Sequence, residues 1–343
     1  MGSTFNRRLP FPKDIKEQFP VPEKVAQKKA ENDELLKKIF TGEDKRFLAI
    51  IGPCSADNPE AVLDYVHRLA KVQEEIKDKV FIVPRIYTNK PRTTGKGYKG
   101  MLHQPDPEKE NDLLSGLLSI RSLFVQIMEE TGFPISDEML YPENTRYFTD
   151  CLSYVAVGAR SVEDQQHRLT ASGMEIPVGM KNPTSGDISI MLNSIEAAQS
   201  SHNFIYRGWD VETTGNPYAH AILRGACDKD GKAIPNYYYE DMLNLYTQYE
   251  EKGFANPSLI VDCNHYNSGK KYKEQIRIAK DVLYHKSHSD DLHDFIKGLM
   301  IESYIEEGNQ SLDEHTYGKS ITDPCLGWDD TEYLLKKIAD ELD

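Results

Sequence analysis

From residue 47 onward the chain alternates between short apolar runs and longer amphipathic stretches. Eight runs, rich in aliphatic and β-branched residues, each end in a polar or charged residue: FLAIIGPC (47–54), VFIVPR (80–85), FPISDE (133–138), YVAVGAR (154–160), PVGMK (177–181), AHAILR (219–224), SLIVDCNH (258–265) and GLMIE (298–302). These read as strands. Between them, helical spacing of apolar residues predicts helices over about 58–76, 112–130, 162–171, 187–200, 238–252, 270–285 and 329–342, with a short one near 143–152. The first of these has Asn58 as N-cap, Pro59 at the first helical position and Glu60 in the first turn, and Val62, Tyr65, Val66, Leu69 and Ile76 fall on one face.

Eight strands alternating with helices indicate an α/β fold, a parallel sheet closed as a (β/α)8 TIM barrel. An open doubly wound sheet is the rival; it usually holds fewer strands and binds its ligand at one switch point rather than around a ring. Residues 203–218 read as a small β-hairpin inserted before strand 6, from their aromatic residues and the turn Thr214-Gly215-Asn216-Pro217. Residues 1–46 are polar, with Pro10, Pro12, Pro20 and Pro22 and a charged helical run over 23–40. They read as an N-terminal extension with one helix, docked on something rather than forming a core. Residues 47–343 then form the barrel.

The length of 343 residues suits one such barrel plus an extension. Lys and Arg number 41 against 55 Asp and Glu, a net charge of 41 − 55 = −14, which argues against nucleic acid as a partner. One segment runs against that balance. Residues 85–99 carry Arg85, Lys90, Arg92, Lys96 and Lys99 without a carboxylate, and Pro91, Gly95 and Gly97 break any helix there. A basic, hydroxyl-rich loop after a strand suits a small phosphorylated ligand, although a solvated basic loop has the same composition. No apolar run approaches the roughly 18–20 residues of a membrane span, and the N-terminus lacks the apolar core of a secretion signal. Asn6 stands where a myristoylation motif wants Ser or Thr. Five cysteines, an odd number without paired spacing, read as mostly buried cytosolic thiols, with one metal ligand among them. The expected compartment is the cytoplasm, with no membrane partner.

Active sites of such barrels lie at the C-terminal ends of the strands. The last residues of the eight runs are Cys54, Arg85, Glu138, Arg160, Lys181, Arg224, His265 and Glu302. They sort into two chemistries. Arg85, Arg160, Lys181 and Arg224, with Lys90 and Arg92 from the basic loop, would repel one another in a barrel mouth unless polyanions neutralise them. Cys54, His265 and Glu302 form a donor set suited to a divalent transition metal, and Asp323 in the loop after the last strand is the candidate fourth ligand.

The motifs IGPCS (51–55), NKPRTTGKGYKG (89–100), GAR (158–160), PVGMKN (177–182), ILRG (222–225), VDCNH (261–265), ESYIEEGNQSL (302–312) and YGKSITDPCLGWDDT (317–331) resemble one family. It is the type I, alpha-class 3-deoxy-D-arabino-heptulosonate-7-phosphate (DAHP) synthases, and the resemblance runs from about residue 30 to the C-terminus. It implies condensation of phosphoenolpyruvate with erythrose 4-phosphate, releasing phosphate, at the start of the shikimate pathway of aromatic amino acid biosynthesis. It implies Cys54, His265, Glu302 and Asp323 as ligands of one divalent ion, with Mn, Fe, Co and Zn all open. The phosphoenolpyruvate carboxylate would lie near Arg85, Lys90 and Lys181, and its phosphate near Arg160 and Arg224 with Glu138 close by. Arg92 and Thr93 would hold the sugar phosphate. Lys90 would be the proton donor, so that Lys90, His265 and Cys54 carry the catalysis, while Lys96 and Lys99 only raise the local potential.

Regulated members of that family bind an aromatic amino acid with the extension, the approach to strand 5 and the hairpin before strand 6. Here Glu175 stands where those members tend to carry a small residue, and the hairpin is short. A buried acid is a poor lining for an aromatic ring unless it meets the ligand's ammonium, so feedback is expected to be weakened or altered. The resemblance also implies a homodimer or homotetramer. Two other readings stay open: a sister enzyme condensing phosphoenolpyruvate with arabinose 5-phosphate, and a non-catalytic anion-binding barrel.

Overall fold

The computed structural model describes residues 2–92 and 95–342. All eight predicted runs are strands: β1 (Phe47–Gly52), β2 (Val80–Pro84), β3 (Ile135–Glu138), β4 (Leu152–Val157), β5 (Val178–Lys181), β6 (Ala219–Leu223), β7 (Leu259–Asp262) and β8 (Ile296–Glu302). Every pairing is parallel, and the order runs β2-β1-β8-β7-β6-β5-β4-β3. The two ends of that order meet. Arg85 bridges Ser136, the Ile86 N–H donates to the Ser136 carbonyl at 2.8 Å, and Ser136 Oγ donates to the Pro84 carbonyl at 3.0 Å, which closes the barrel.

Among the described residues eleven helices accompany the strands: α1 (Pro12–Gln18), α2 (Glu23–Thr41), α3 (Pro59–Ile76), α4 (Leu113–Thr131), α5 (Pro142–Thr145), α6 (Gln165–Ser172), α7 (Ile188–Gln199), α8 (Tyr239–Lys252), α9 (Glu274–Ser287), α10 (Asp290–Phe295) and α11 (Trp328–Glu341). The strands are apolar throughout because both faces are covered. In β1, Leu48 and Ile50 point into the barrel, while Phe47, Ala49 and Ile51 pack in the layer beneath the helices. Space inside is tight: a Cβ on Gly179 would lie 2.3 Å from Ile222 Cδ1 and 2.4 Å from the Tyr154 hydroxyl.

The extension differs from expectation in two ways. It holds two helices rather than one, and α2 belongs to the core. Leu36, Ile39 and Phe40 of α2 join Leu48, Ile50, Tyr154, Ile222 and Met300 in the barrel interior and close its lower end. The Phe40 ring lies 4.3 Å from the His220 ring and 6.5 Å from that of Tyr154. His220 Nδ1 donates to the Tyr218 carbonyl at 2.9 Å, which leaves Nε2 to accept from the Tyr154 hydroxyl at 2.8 Å. A polar sequence hid this role because only one stripe of α2 is apolar. α1 is held separately, through Arg121 of α4, whose Nε donates to the Phe19 carbonyl at 2.9 Å.

Other differences are local. The hairpin is present, with strands Asn203–Tyr206 and Trp209–Glu212, but its turn is Arg207-Gly208, both at positive φ (58° and 78°), the combination a two-residue hairpin turn prefers. Thr214–Pro217 follows the hairpin instead. The helix expected over 143–152 is the single turn α5, and α6 starts at Gln165, where the Asp164 side chain accepts from the His167 N–H at 3.1 Å. α10 was not foreseen.

Two stability predictions follow from the closed lower end. Burial pushes His220 down to about 4. The unfolded chain therefore binds a proton that the folded chain refuses, so this contribution is complete above about pH 6.5 and is lost as pH falls towards 4. Denaturant unfolding should show a loss of about 3 kcal/mol over that window, absent in His220→Gln. Phe40→Ala should cost about 3–5 kcal/mol by the same measurement; a cost below 1 kcal/mol would show that α2 is only surface-docked.

Candidate active site

At the upper rim seven of the eight strands bring their last residue, or one up to three positions beyond it, to a cavity of about 340 Å³. Cys54, Arg85, Lys90, Arg92, Glu138, Arg160, Lys181, Arg224, His265 and Asp323 all line it. Glu302 lies directly beneath, 1 % exposed, with Oε1 2.8 Å from Arg85 Nη2. Thr93 falls outside the described residues. Lys96 and Lys99 are not on the wall: Lys96 is exposed, and Lys99 serves through its backbone, its carbonyl accepting from the Lys90 N–H at 3.1 Å.

Local structure explains the placement. In the basic loop the chain folds back on itself. Arg92 Nε donates to the Tyr98 carbonyl at 2.8 Å, and the turn needs Gly95 and Gly97 at φ of 72° and 83°. Its root is tied down by Asp137, which accepts from the Thr88 N–H at 3.0 Å and hydroxyl at 2.6 Å. Burial pushes Asp137 up to about 7, against those same hydrogen bonds. The glycine before Ala159-Arg160 has a steric reason: a Cβ on Gly158 would lie 2.5 Å from Glu138 Oε1.

The electrostatics divide the floor from the wall. Asp262 is fully buried, with Oδ2 2.8 Å from His265 Nδ1 and 3.5 Å from Lys181 Nζ. Burial pushes its carboxyl up, but His265, Lys181 and Arg224 outweigh that and hold it well below the usual carboxylate range. Glu302 behaves likewise: burial raises it, and Arg85, His265 and Lys90 bring it below its ordinary value. On the wall, Lys90 Nζ lies 2.8 Å from Cys54 Sγ. Burial raises the Cys54 thiol, Glu302 adds to that, and Lys90 opposes it. Arg224 is 6 % exposed, its Nη1 has no hydrogen-bond partner, and burial lowers it. A buried guanidinium N–H left open towards a cavity is a donor waiting for an anion.

The metal donors also converge. Ligand atoms of Cys54, Glu302 and Asp323 lie within 4.8 Å of one another. His265 stands outside that triplet, with Nε2 3.8 Å from Glu302 Oε1. Its Nδ1 faces Asp262 Oδ2 at 2.8 Å without hydrogen-bond geometry, and Nε2 is the nitrogen turned towards Glu302 and the other donors. Its backbone is at φ 49°, an uncommon conformation stabilised by the Asp262 turn and by the Lys270 N–H donating to its carbonyl at 2.8 Å. The residues fit a divalent ion.

Sequence reasoning missed Asp262, Lys270, Tyr87 and Tyr266. Lys270 pairs with Asp323 at 3.2 Å, Tyr87 lies under Arg85 (3.9 Å from ring centroid to guanidinium), and Tyr266 lies 4.9 Å from the Arg224 guanidinium. Asp262 had a signal: it follows Ile260 by two residues, and Ile260 points inwards. All five cysteines are free, four of them buried and Cys227 half-buried.

A closed parallel barrel whose mouth carries seven Lys and Arg side chains against two carboxylates, in a chain of net charge −14, defines an α/β-barrel enzyme for small anionic substrates. The particular kind follows from comparison with known proteins. The model of the DAHP synthetase I family matches residues 19–336, and the chain belongs to that family of transferase-type enzymes. It is 38 % identical to the Tyr-sensitive phospho-2-dehydro-3-deoxyheptonate aldolase of Salmonella typhimurium LT2, over 97 % of this chain and 93 % of that protein. It is also 38 % identical to the Phe-sensitive enzyme of Escherichia coli K12, over 96 % and 93 %. A solved phospho-2-dehydro-3-deoxyheptonate aldolase from Francisella tularensis SCHU S4 superposes with a TM-score of 0.92 at 28 % identity, covering 99 % of this chain and 98 % of that one.

Asp262→Asn should keep the fold, by circular dichroism, yet lower metal affinity or turnover about 10- to 100-fold, because His265 and Lys181 lose their shared counter-charge. Metal titration and steady-state kinetics measure it, and unchanged values for both would make Asp262 purely structural.

Proposed function

We propose that the chain condenses phosphoenolpyruvate with erythrose 4-phosphate, giving 3-deoxy-D-arabino-heptulosonate 7-phosphate and inorganic phosphate. The observation that carries this reading is the single cavity that gathers Arg85, Lys90, Arg92, Arg160, Lys181 and Arg224 above a Cys54/Glu302/Asp323 triplet. Two phosphorylated substrates bring the negative charge that such a mouth lacks.

Lys181 and Arg85, both buried, suit the enolpyruvate carboxylate deep in the cavity, with Lys90 beside them. Arg224 and Arg160 suit its phosphate, with Glu138 close by. Arg92, exposed at the outer end, suits the sugar phosphate. These contacts hold the nucleophilic C3 against the aldehyde and turn a bimolecular encounter into a positioned one. Burial disfavours the charge of Lys90, but Cys54 and Glu302 outweigh that and raise it. It is therefore the group to hand a proton to the oxygen that becomes an alkoxide. Water then adds at C2, and the hemiketal phosphate breaks its C–O bond. Cys54, Glu302, Asp323 and His265 would hold one divalent ion, which when bound supplies Lewis acidity at the aldehyde oxygen.

The names of the relatives support an aromatic amino acid effector. A second cavity of about 350 Å³, lined by Arg146, Met174, Glu175, Phe204, Tyr206 and Val211 under the hairpin, has the right character for one. Glu175 is exposed there, not buried as the sequence suggested, so it brings no desolvation penalty and is free to meet an ammonium. The exposed Phe5, Phe11, Ile205 and Trp209 on the extension and hairpin support assembly as a homodimer or homotetramer. No helix among the described residues is long and apolar enough to cross a membrane.

Phosphate release from phosphoenolpyruvate, measured with erythrose 4-phosphate and with arabinose 5-phosphate, with and without a chelator, tests the reaction. Release should require the four-carbon sugar and stop on chelation, and Cys54→Ala should be inactive. A chelator-insensitive, active Cys54→Ala enzyme sinks the metal assignment. In the same assay, one of tyrosine, phenylalanine and tryptophan should inhibit, and Glu175→Ala should weaken that inhibition about 10-fold; equal inhibition of both proteins would remove Glu175 from the effector site.

A further inference from the structure

A second group of cations lies at the other end of the barrel. A cavity of about 600 Å³ opens on the lower rim, between the residues leading into β1 and β2, the start of β8, and the ends of α9 and α10. Two of its wall pairs are internally neutral: Lys45 with Asp294 at 3.1 Å and Arg46 with Asp44 at 2.7 Å. Lys286 and Lys297 are different. Among the described residues neither has a carboxylate oxygen within 4.0 Å. Lys286 Nζ donates to the His293 carbonyl and lies 5.8 Å from the centroid of the Phe47 ring.

Both lysines are half-buried and wall the same cavity. Burial, and then the charge of Lys297, push Lys286 down to about 8. Burial likewise lowers Lys297, with Lys45 adding to it and Asp294 opposing. Lysines that only cover apolar surface carry their charge out into water, apart from one another. Here two ammonium groups share a partly dehydrated space, and the other acids on the wall, Glu43 and Asp78, are exposed where solvent screens them. The site also borders the helix that seals the barrel: a Cβ on Gly42, the C-cap of α2, would lie 3.7 Å from Lys297 Nζ.

We propose that this lower cavity binds a small dianion, free phosphate or a phosphate monoester, between Lys286 and Lys297. Nothing in the reaction at the upper rim requires it. Binding would replace a repulsion with two charge-assisted contacts and fasten the end of α9 to the start of β8.

The test uses the full chain carrying Arg92→Ala, Arg160→Ala and Arg224→Ala, which removes the three side chains assigned to the two phosphates at the mouth. Inorganic phosphate and glycerol phosphate are titrated separately at constant ionic strength, against sodium chloride alone. Acetylation of Lys286 and Lys297 by acetic anhydride, read by peptide mass spectrometry, should fall saturably below about 10 mM ligand, and thermal stability should rise in parallel. Saturation by inorganic phosphate identifies the free ion, and saturation by glycerol phosphate alone identifies a monoester. Adding Lys286→Met and Lys297→Met should weaken the thermal shift at least about 10-fold. Equal protection by chloride, no saturation by either probe, or an unchanged shift in the methionine variant overturns the proposal. If that variant does not fold, the labelling of the intact lysines decides by itself.

Discussion

Two buried carboxylates, Asp262 and Glu302, make the rest of the site physically possible. Arg85 and Lys181 are 1 % and 2 % exposed. An unpaired charge so deep costs several kcal/mol. Glu302 answers Arg85, and Asp262 answers both Lys181 and His265. The compensation is deliberately incomplete in its geometry: Arg224 keeps an unpartnered Nη1, and the cations nearer the mouth outnumber the acids. The cations are thus stable enough to be held without ligand and still short of negative charge. Removing Glu302 would take from Arg85 its carboxylate partner, and removing Asp262 would leave Lys181 with Glu138 alone, at 3.7 Å.

This arrangement depends on strand parity. Inward positions recur every second residue, so each strand that contributes to the apolar interior delivers its next inward residue to the floor. Phe81 and Val83 lead to Arg85, Gly179 leads to Lys181, Ile260 to Asp262, and Met300 to Glu302. Parallel pairing sets Glu302 beside Gly52, while Lys181 falls beside Ile222 and Asp262 beside Met300, so the polar ends are staggered by two residues from strand to strand. A charged layer resting on a packed apolar layer is therefore a direct result of eight parallel strands of matched phase.

The same parity governed what could be read from the chain. Strand existence and order were legible because eight apolar runs each stop at a polar residue, and the residues stopping them do gather at one rim. Cys54, Glu302 and Asp323 came together as candidates from the strand ends and the loop after the last strand, and the resemblance made them one ligand set; spacing does not, since 269 positions separate Cys54 from Asp323 (323 − 54). Asp262 was overlooked because it sits three residues before the apparent end of its run at His265, inside the residues counted as strand. The partners Lys270 and Tyr266 come from the turn held by Asp262, whose course depends on a positive φ at His265 that a non-glycine residue does not advertise. Thr93 lies outside the described residues.

The extension departs most from what its sequence suggested, with two helices and one of them in the barrel interior. A helix of mixed composition looks like an appendage, yet Phe40 fills the barrel against Tyr154 and His220. Tyr154 lies in the same interior layer as Tyr87, whose ring supports Arg85 and lies 5.4 Å from Lys181 Nζ. One layer of side chains separates the extension from the floor of the site. Interiors packed to this density repack rather than compress. A shift of α2 must therefore be taken up by Tyr154 and its neighbours before it can be absorbed elsewhere, and those neighbours include the residues on which the buried cations rest. The extension packs into the barrel close to the place where the apolar interior meets the charge.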